Sequence, residues 1–228
     1  MTGMRTLWLI PVMMTFNAAP ALTQTTPVDQ GTFTITRAGA PYGTEAFLII
    51  RQPGANGAAY TLSATRSLEG RTIRSSLKTD SLGGPITYMR QEIGASPGTL
   101  TASGNNAGRL TVNVGEGGER SSKDYLLSSG TLLLEEDLVH QLYFVCLDGR
   151  PRSIAYVSPD SRTASTGALT AVGEEEVELG TRARVAARHF AFGSGAARRD
   201  IWIDSNGRLL RISIPGRQIE AVRSEPPR

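Results

Sequence analysis

Apolar side chains recur at every second position along much of this 228-residue chain. Phe33 and Ile35 alternate with Thr32, Thr34 and Thr36; Tyr60, Leu62 and Ala64 alternate with Thr61, Ser63 and Thr65. Leu110, Val112 and Val114 alternate with Thr111 and Asn113, and Leu210, Ile212 and Ile214 alternate with Arg211 and Ser213. A period of two sends successive side chains to opposite faces of a strand, so each run reads as a strand with one buried and one wetted face. Threonine on the wetted face agrees with the preference of β-branched residues for strands.

Clusters of Gly, Pro and Asn punctuate these runs at 38–41, 52–57, 82–85, 96–98, 104–108, 115–118 and 204–207. Connections this short join antiparallel neighbours, because a parallel pair needs a crossover of a dozen or more residues. The pattern predicts about a dozen strands. One stretch departs from it. Leu134, Leu138 and Leu142 stand four apart, Val139 and Tyr143 widen the stripe, and Glu135, Glu136 and Asp137 supply negative charge at its start. That spacing predicts one short helix near 135–145, packed on the sheet; a strand through 142–147 is the competing reading. A strongly twisted sheet must cover its apolar face by curling or with a helix. The expected fold is therefore mainly β: a large curved antiparallel sheet, a half-barrel or open barrel, with one short helix.

The N-terminal segment reads as a signal peptide. Arg5 gives a positive start, an apolar stretch covers 7–16, and Ala19-Pro20-Ala21 fits the small-x-small cleavage rule. The expected organisation is a signal peptide over 1–21, a leader over 22–29, a single β domain over 30–223 and a polar tail over 224–228. The expected location is periplasmic or secreted. No later apolar run approaches ~18 residues, so the mature chain is not expected to span a membrane. The formal net charge is +3, and removing 1–21 takes away only Arg5. With no polybasic cluster, a nucleic-acid partner is not expected.

A single cysteine excludes an intramolecular disulfide, and with two histidines the chain has little for a Cys/His metal site. Cys146 lies in the apolar run 142–147 and reads as a buried thiol. Ser75 and Lys78 have Ser-x-x-Lys spacing, but in a strand they face opposite ways. Gly193-Ser194-Gly195 lacks the five-residue nucleophile elbow and reads as a hairpin tip. Glu174, Glu175 and Glu176 are consecutive, which does not hold two acids across a cleft. Asp204-Ser205-Asn206-Gly207 reads as a tight turn rather than a calcium loop, since the twelfth loop position would be Pro215. His140 stands four residues after Glu136, a spacing that can orient an imidazole for base catalysis or form a surface pair. His189 falls opposite Phe190 and Phe192, in a solvated or rim position. No phosphate-binding loop or dinucleotide motif is present, so no cofactor is expected.

Three stretches carry a family likeness. They are the run from Asp200-Ile201-Trp202-Ile203-Asp204 through Gly207-Arg208-Leu209-Leu210-Arg211-Ile212 to 218–223, the segment Gly43-Thr44-Glu45-Ala46-Phe47, and Leu133-Leu134-Glu135 leading to His140-Gln141-Leu142-Tyr143. Together they resemble uncharacterised exported bacterial β-sheet proteins, similar in outline to the LolA-like half-barrels that carry lipoproteins. The resemblance implies a curved sheet and no assigned catalytic residues. The expected function is a non-enzymatic envelope protein that binds a lipid or lipidated partner in the concave face of its sheet. Phe33, Ile35, Tyr60, Leu62, Leu110, Val112, Leu210 and Ile212 are the expected lining, with plain core as their other role. Two further readings stand beside it: a structural or adaptor module without a cavity, and a hydrolase built on His140 or His189.

Overall fold

A computed structural model describes residues 25–54, 57–94, 97–105, 107–116, 119–136 and 138–228. The expected signal peptide lies outside the described residues. The chain runs through β1 (Thr26–Arg37), β2 (Ala40–Gly54), β3 (Gly57–Leu68), β4 (Arg71–Thr79), β5 (Pro85–Gly94), β6 (Gly98–Gly104), β7 (Arg109–Glu116) and β8 (Glu119–Leu126). It continues through β9 (Leu132–Leu133), β10 (Arg152–Ser158), β11 (Thr163–Glu178), β12 (Arg184–Phe192), β13 (Arg199–Ile203), β14 (Leu209–Ile214) and β15 (Ile219–Arg223).

All fifteen belong to one curved sheet. Strands β1 to β8 are neighbours in sequence order, and so are β9 to β15. The two meanders join where β1 pairs with β15, Phe33 opposite Arg223 and Ile35 opposite Ala221. Every ladder is antiparallel except the two-residue parallel pairing of β9 with β10. The sheet ends, β8 and β9, share no ladder. Side chains bring β8 to the turn between β10 and β11 instead. Lys123 Nζ donates to the Arg162 carbonyl at 2.7 Å, and the Arg162 guanidinium donates to Ser121 Oγ.

Residues 131–147 correct the expected helix. His140–Tyr143 forms a single 3-10 turn, and the bonds around it run three residues back: Leu142 to Val139, Phe144 to Gln141, Val145 to Leu142 and Cys146 to Tyr143. Neither an α-helix nor the alternative strand forms among the described residues there. The segment does not lie on the outside of the sheet. Leu132, Leu133, Leu134, Val139, Leu142, Tyr143, Phe144 and Val145 are buried in the same core as Phe33, Ile35, Phe47, Ile49, Leu62, Leu77 and Leu110 of the inner wall. Leucines enclosed on the inner side of the sheet need not share one face, so their spacing of four does not select a helix.

A second, smaller core sits on the outer face. The hairpin of β11 and β12 is long enough to fold back over β13 to β15, burying Val177, Leu179 and Ala187 with Trp202 and Leu210. Its tip is tied to the chain end, where Gly180 N donates to Arg223 O and Thr181 N to Ser224 O. Strand β1 starts at Thr26, inside the expected leader, because Thr26, Pro27 and Asp29 already pair with β2. The tail is held at both ends, by Ser224 N on Thr32 O and by Arg208 Nη1 on the Arg228 carbonyl.

Candidate functional site

The eight expected lining residues are all buried. Seven belong to the inner core: Phe33, Ile35, Tyr60, Leu62, Leu110, Val112 and Ile212. The open concave groove expected for them is occupied by the chain's own residues 131–147; Tyr60, for instance, meets Phe144 edge-on with ring centroids 5.6 Å apart. Leu210 corrects the strict alternation. Leu209 pairs with Ile203 and Arg211 with Trp202, so Leu210 is an extra residue at a bulge. Its side chain joins the outer core beside Trp202, while Leu209 faces inward.

Besides the buried pair of Arg223 and Asp29, charged residues at inward positions form two clusters with the interior segment that the alternation argument passed over. In the first, Glu45 of β2 and Arg66 of β3 stand opposite each other and His140 comes from the interior segment. Glu45 Oε1 accepts from the backbone N–H and Nδ1–H of His140, both at 2.8 Å, and Oε2 accepts from Val139 N at 3.2 Å. All three side chains are essentially without solvent contact. Burial works to raise the Glu45 carboxyl, but the hydrogen bond and charge of His140 and the charge of Arg66 outweigh it and hold it below the usual range. The expected Glu136 partnership does not form; Glu136 faces Arg217 at 3.6 Å.

In the second cluster, Tyr88 and Arg90 of β5 meet Glu135 of the interior segment. Tyr88 OH donates to Glu135 Oε1 at 2.5 Å and Arg90 Nη1 to Oε2 at 3.1 Å. Arg90 also donates to Asp160, in the β10–β11 turn, and to Glu92 at 3.0 Å, which Arg71 of β4 holds from the other side at 2.9 Å. Burial and the neighbouring Asp160 charge push the Glu135 carboxyl up to about 8, against the pull of Arg90 and Tyr88. Burial and the Glu135 charge also raise the Tyr88 hydroxyl well above its ordinary value. A cavity of about 240 Å³ adjoins this cluster, lined by Arg90, Glu92, Leu100, Val114, Asp160 and Arg162. Each of its charged walls already has a partner within the protein. The arrangement fastens the interior segment and the β10–β11 turn to the wall.

On the outer face, His189 stacks on Trp202 with centroids 4.2 Å apart. Its Nε2 lies 2.9 Å from Asp200 and its Nδ1 3.3 Å from Glu175, whose Oε1 also accepts from Trp202 Nε1. His189 is thus largely covered, not solvated. Among the described residues neither histidine ring is hydrogen-bonded to a hydroxyl. Ser75 and Lys78 do face opposite sides of β4, one buried and one exposed. Asp204 closes a tight turn, its Oδ1 accepting from Asn206 N and Arg208 N.

No described helix is long and apolar enough to cross a membrane. No family model matches the chain, and no curated protein matches it. A solved β-barrel-like protein of a domain of unknown function (DUF1849) from Brucella abortus is similar, with 8% identity and a TM-score of 0.48 over 90% of this chain and 98% of that one.

Proposed function

We propose that the protein is an exported, non-enzymatic structural or adaptor module of the cell envelope, periplasmic or secreted. One observation carries this reading over that of a lipid carrier: residues 131–147 take up the concave side of the sheet that an acyl chain would need. Export rests on the sequence of residues 1–21. The surface best suited to a partner is β8, which among the described residues pairs with β7 on one side and with no strand on the other, where Lys123 and Ser121 meet Arg162 of the β10–β11 turn. Its charges of both signs, Glu119, Arg120, Lys123 and Asp124, discourage indiscriminate strand addition. They suit an extended polar segment of matching charge.

Native mass spectrometry of the purified mature protein, with titration by a fluorescent fatty acid, tests the choice. The expected result is the mass of the bare polypeptide and no saturable binding. A lipid retained at one per chain would overturn the adaptor reading in favour of a carrier.

A further inference from the structure

Strand β8 ends the sheet with half of its backbone turned outward. Leu127 N donates to Gly108 O at 2.6 Å, one step beyond the facing pair of Arg109 and Leu126. Antiparallel ladders alternate between bonded and unbonded pairs, so the bonded ones here are Leu110 with Tyr125, Val112 with Lys123 and Val114 with Ser121. Arg120, Ser122 and Asp124 therefore point their N–H and C=O groups away from β7, and among the described residues no further strand receives them.

The β10–β11 turn leaves that edge clear because it runs beneath the inner face. Its Asp160 meets Arg90 of β5, and its Arg162 lines a cavity with Leu100 of β6 and Val114 of β7. Arg162 reaches β8 only at Ser121 and Lys123, which are in phase with the buried Tyr125. Arg120, Ser122 and Asp124 are exposed and in the opposite phase.

The charges along this edge complement themselves. A second β8 laid antiparallel, with Ser122 opposite its own copy, sets Arg120 opposite Asp124 twice on the exposed face. On the other face Ser121 then stands opposite Lys123, and Glu119 opposite Tyr125. The residues that meet as bonded pairs are the same ones whose backbone groups point outward. A slide of two residues one way sets Lys123 against Lys123, and the other way leaves Arg120 against a serine. Arg120 makes no ion pair among the described residues. Asp124 accepts from Arg109 at 3.1 Å and from Thr111 at 2.7 Å, both on its β7 side.

We propose that the protein associates with a second copy of itself through β8, antiparallel about a twofold axis at Ser122, so that the two sheets continue into one. This rests on the adaptor reading of β8 and names the occupant of its edge. The contact is short and smaller than a standard interface, so association is expected in the micromolar range.

Sedimentation velocity of the mature protein, from low to several hundred micromolar, reads the association. The parent should form a reversible dimer. Arg120→Glu and Asp124→Lys each set like charges face to face twice and should each weaken it at least tenfold. An equimolar mixture of the two variants should dimerise as the parent does, because every cross-pair then joins opposite charges. Ser122→Pro removes an N–H that β7 does not use, and should be monomeric with the parent's circular dichroism. If that variant does not fold, the mixture decides. A monomeric parent, charge variants that associate like the parent, a mixture no tighter than either variant alone, or a folded Ser122→Pro that still dimerises would each overturn the proposal. Native mass spectrometry separates this failure from failure of the adaptor reading: a dimer has twice the mass of the bare polypeptide, whereas a retained lipid adds its own mass to each chain.

Discussion

Glu45 and His140 meet twice although ninety-five residues separate them: one carboxylate oxygen lies 2.8 Å from the histidine's backbone nitrogen and 2.8 Å from its Nδ1. This contact anchors the interior segment to the second strand of the wall. Removing one partner of a buried charged pair costs about 3–5 kcal/mol, because the other stays desolvated. Glu45→Ala should lower stability by about that amount, and Glu45→Gln by less because it still accepts from the amide. Urea unfolding followed by circular dichroism measures both. The folded-state value of Glu45 is depressed, so its contribution is present above the ordinary glutamate range and lost as pH falls through the folded value. Acid unfolding should therefore begin at higher pH in Glu45→Gln than in the parent. Identical acid midpoints would show that this pair does not hold the segment.

Glu135 sets the opposite slope in a different window. Its folded-state value, about 8, lies above the ordinary 4.5. Between those two pH values the folded protein keeps a proton that the unfolded chain has released, so stability falls as pH rises. Below the window both states hold the proton and the slope disappears. The full effect is at most a few kcal/mol. Chemical denaturation at pH 5, 6.5 and 8 should show the decline in the parent and a flatter line in Glu135→Gln. A parent whose midpoint rises from pH 5 to pH 8 would contradict the assignment.

The strands were legible because their apolar alternation is local, and the short Gly-rich turns made an antiparallel meander the natural reading. The join of β1 to β15 was not, since it links residues nearly two hundred positions apart and leaves no mark on spacing. The interior segment was misread for a physical reason: Leu134, Leu138 and Leu142 are buried, and so are Glu135, Val139, His140 and Gln141 between them, so their four-residue spacing does not select a face. The polar clusters did leave a signal. Glu45 is in phase with Phe47 and Ile49, Arg66 with Leu62 and Ala64, Arg90 with Tyr88, and Arg223 with Ile219 and Ala221. A charged residue at an inward position of an alternating strand demands a buried partner. The partners Glu135 and His140 lie outside any strand pattern, which left the pairings unreadable.

Arg223 gives a local packing prediction. Its guanidinium is fixed by Asp29 Oδ1 at 2.9 Å, by the Leu209 carbonyl at 3.0 Å and by the Gln30 carbonyl. A Cβ added at Gly31 would stand 2.9 Å from Nη2 of that side chain. A free arginine would swing away, but this one would have to abandon three acceptors. Gly31→Ala should therefore cost about 1–3 kcal/mol, as overpacking does elsewhere. Gly173→Ala, where a Cβ meets nothing within 4 Å, is the matched control and should be near neutral. Comparable urea midpoints for the two variants would show that Arg223 is not pinned.

Cys146 reports on the interior segment without a mutation. The thiol is buried at 1% exposure, and burial pushes it up to about 12, with the charges of Arg152 and Arg188 too weak to offset that. The thiolate is the reactive form, so a protonated thiol behind a packed wall should be inert. A thiol-reactive disulfide reagent at pH 7 should leave the native protein unmodified and label one thiol per chain after denaturation in urea. Rates in native buffer within about tenfold of the unfolded rate would mean that the segment leaves its seat often enough to admit the reagent. In that case the inner wall, with Phe33, Tyr60 and Leu110, would be open to a guest after all, and the carrier reading would regain its footing.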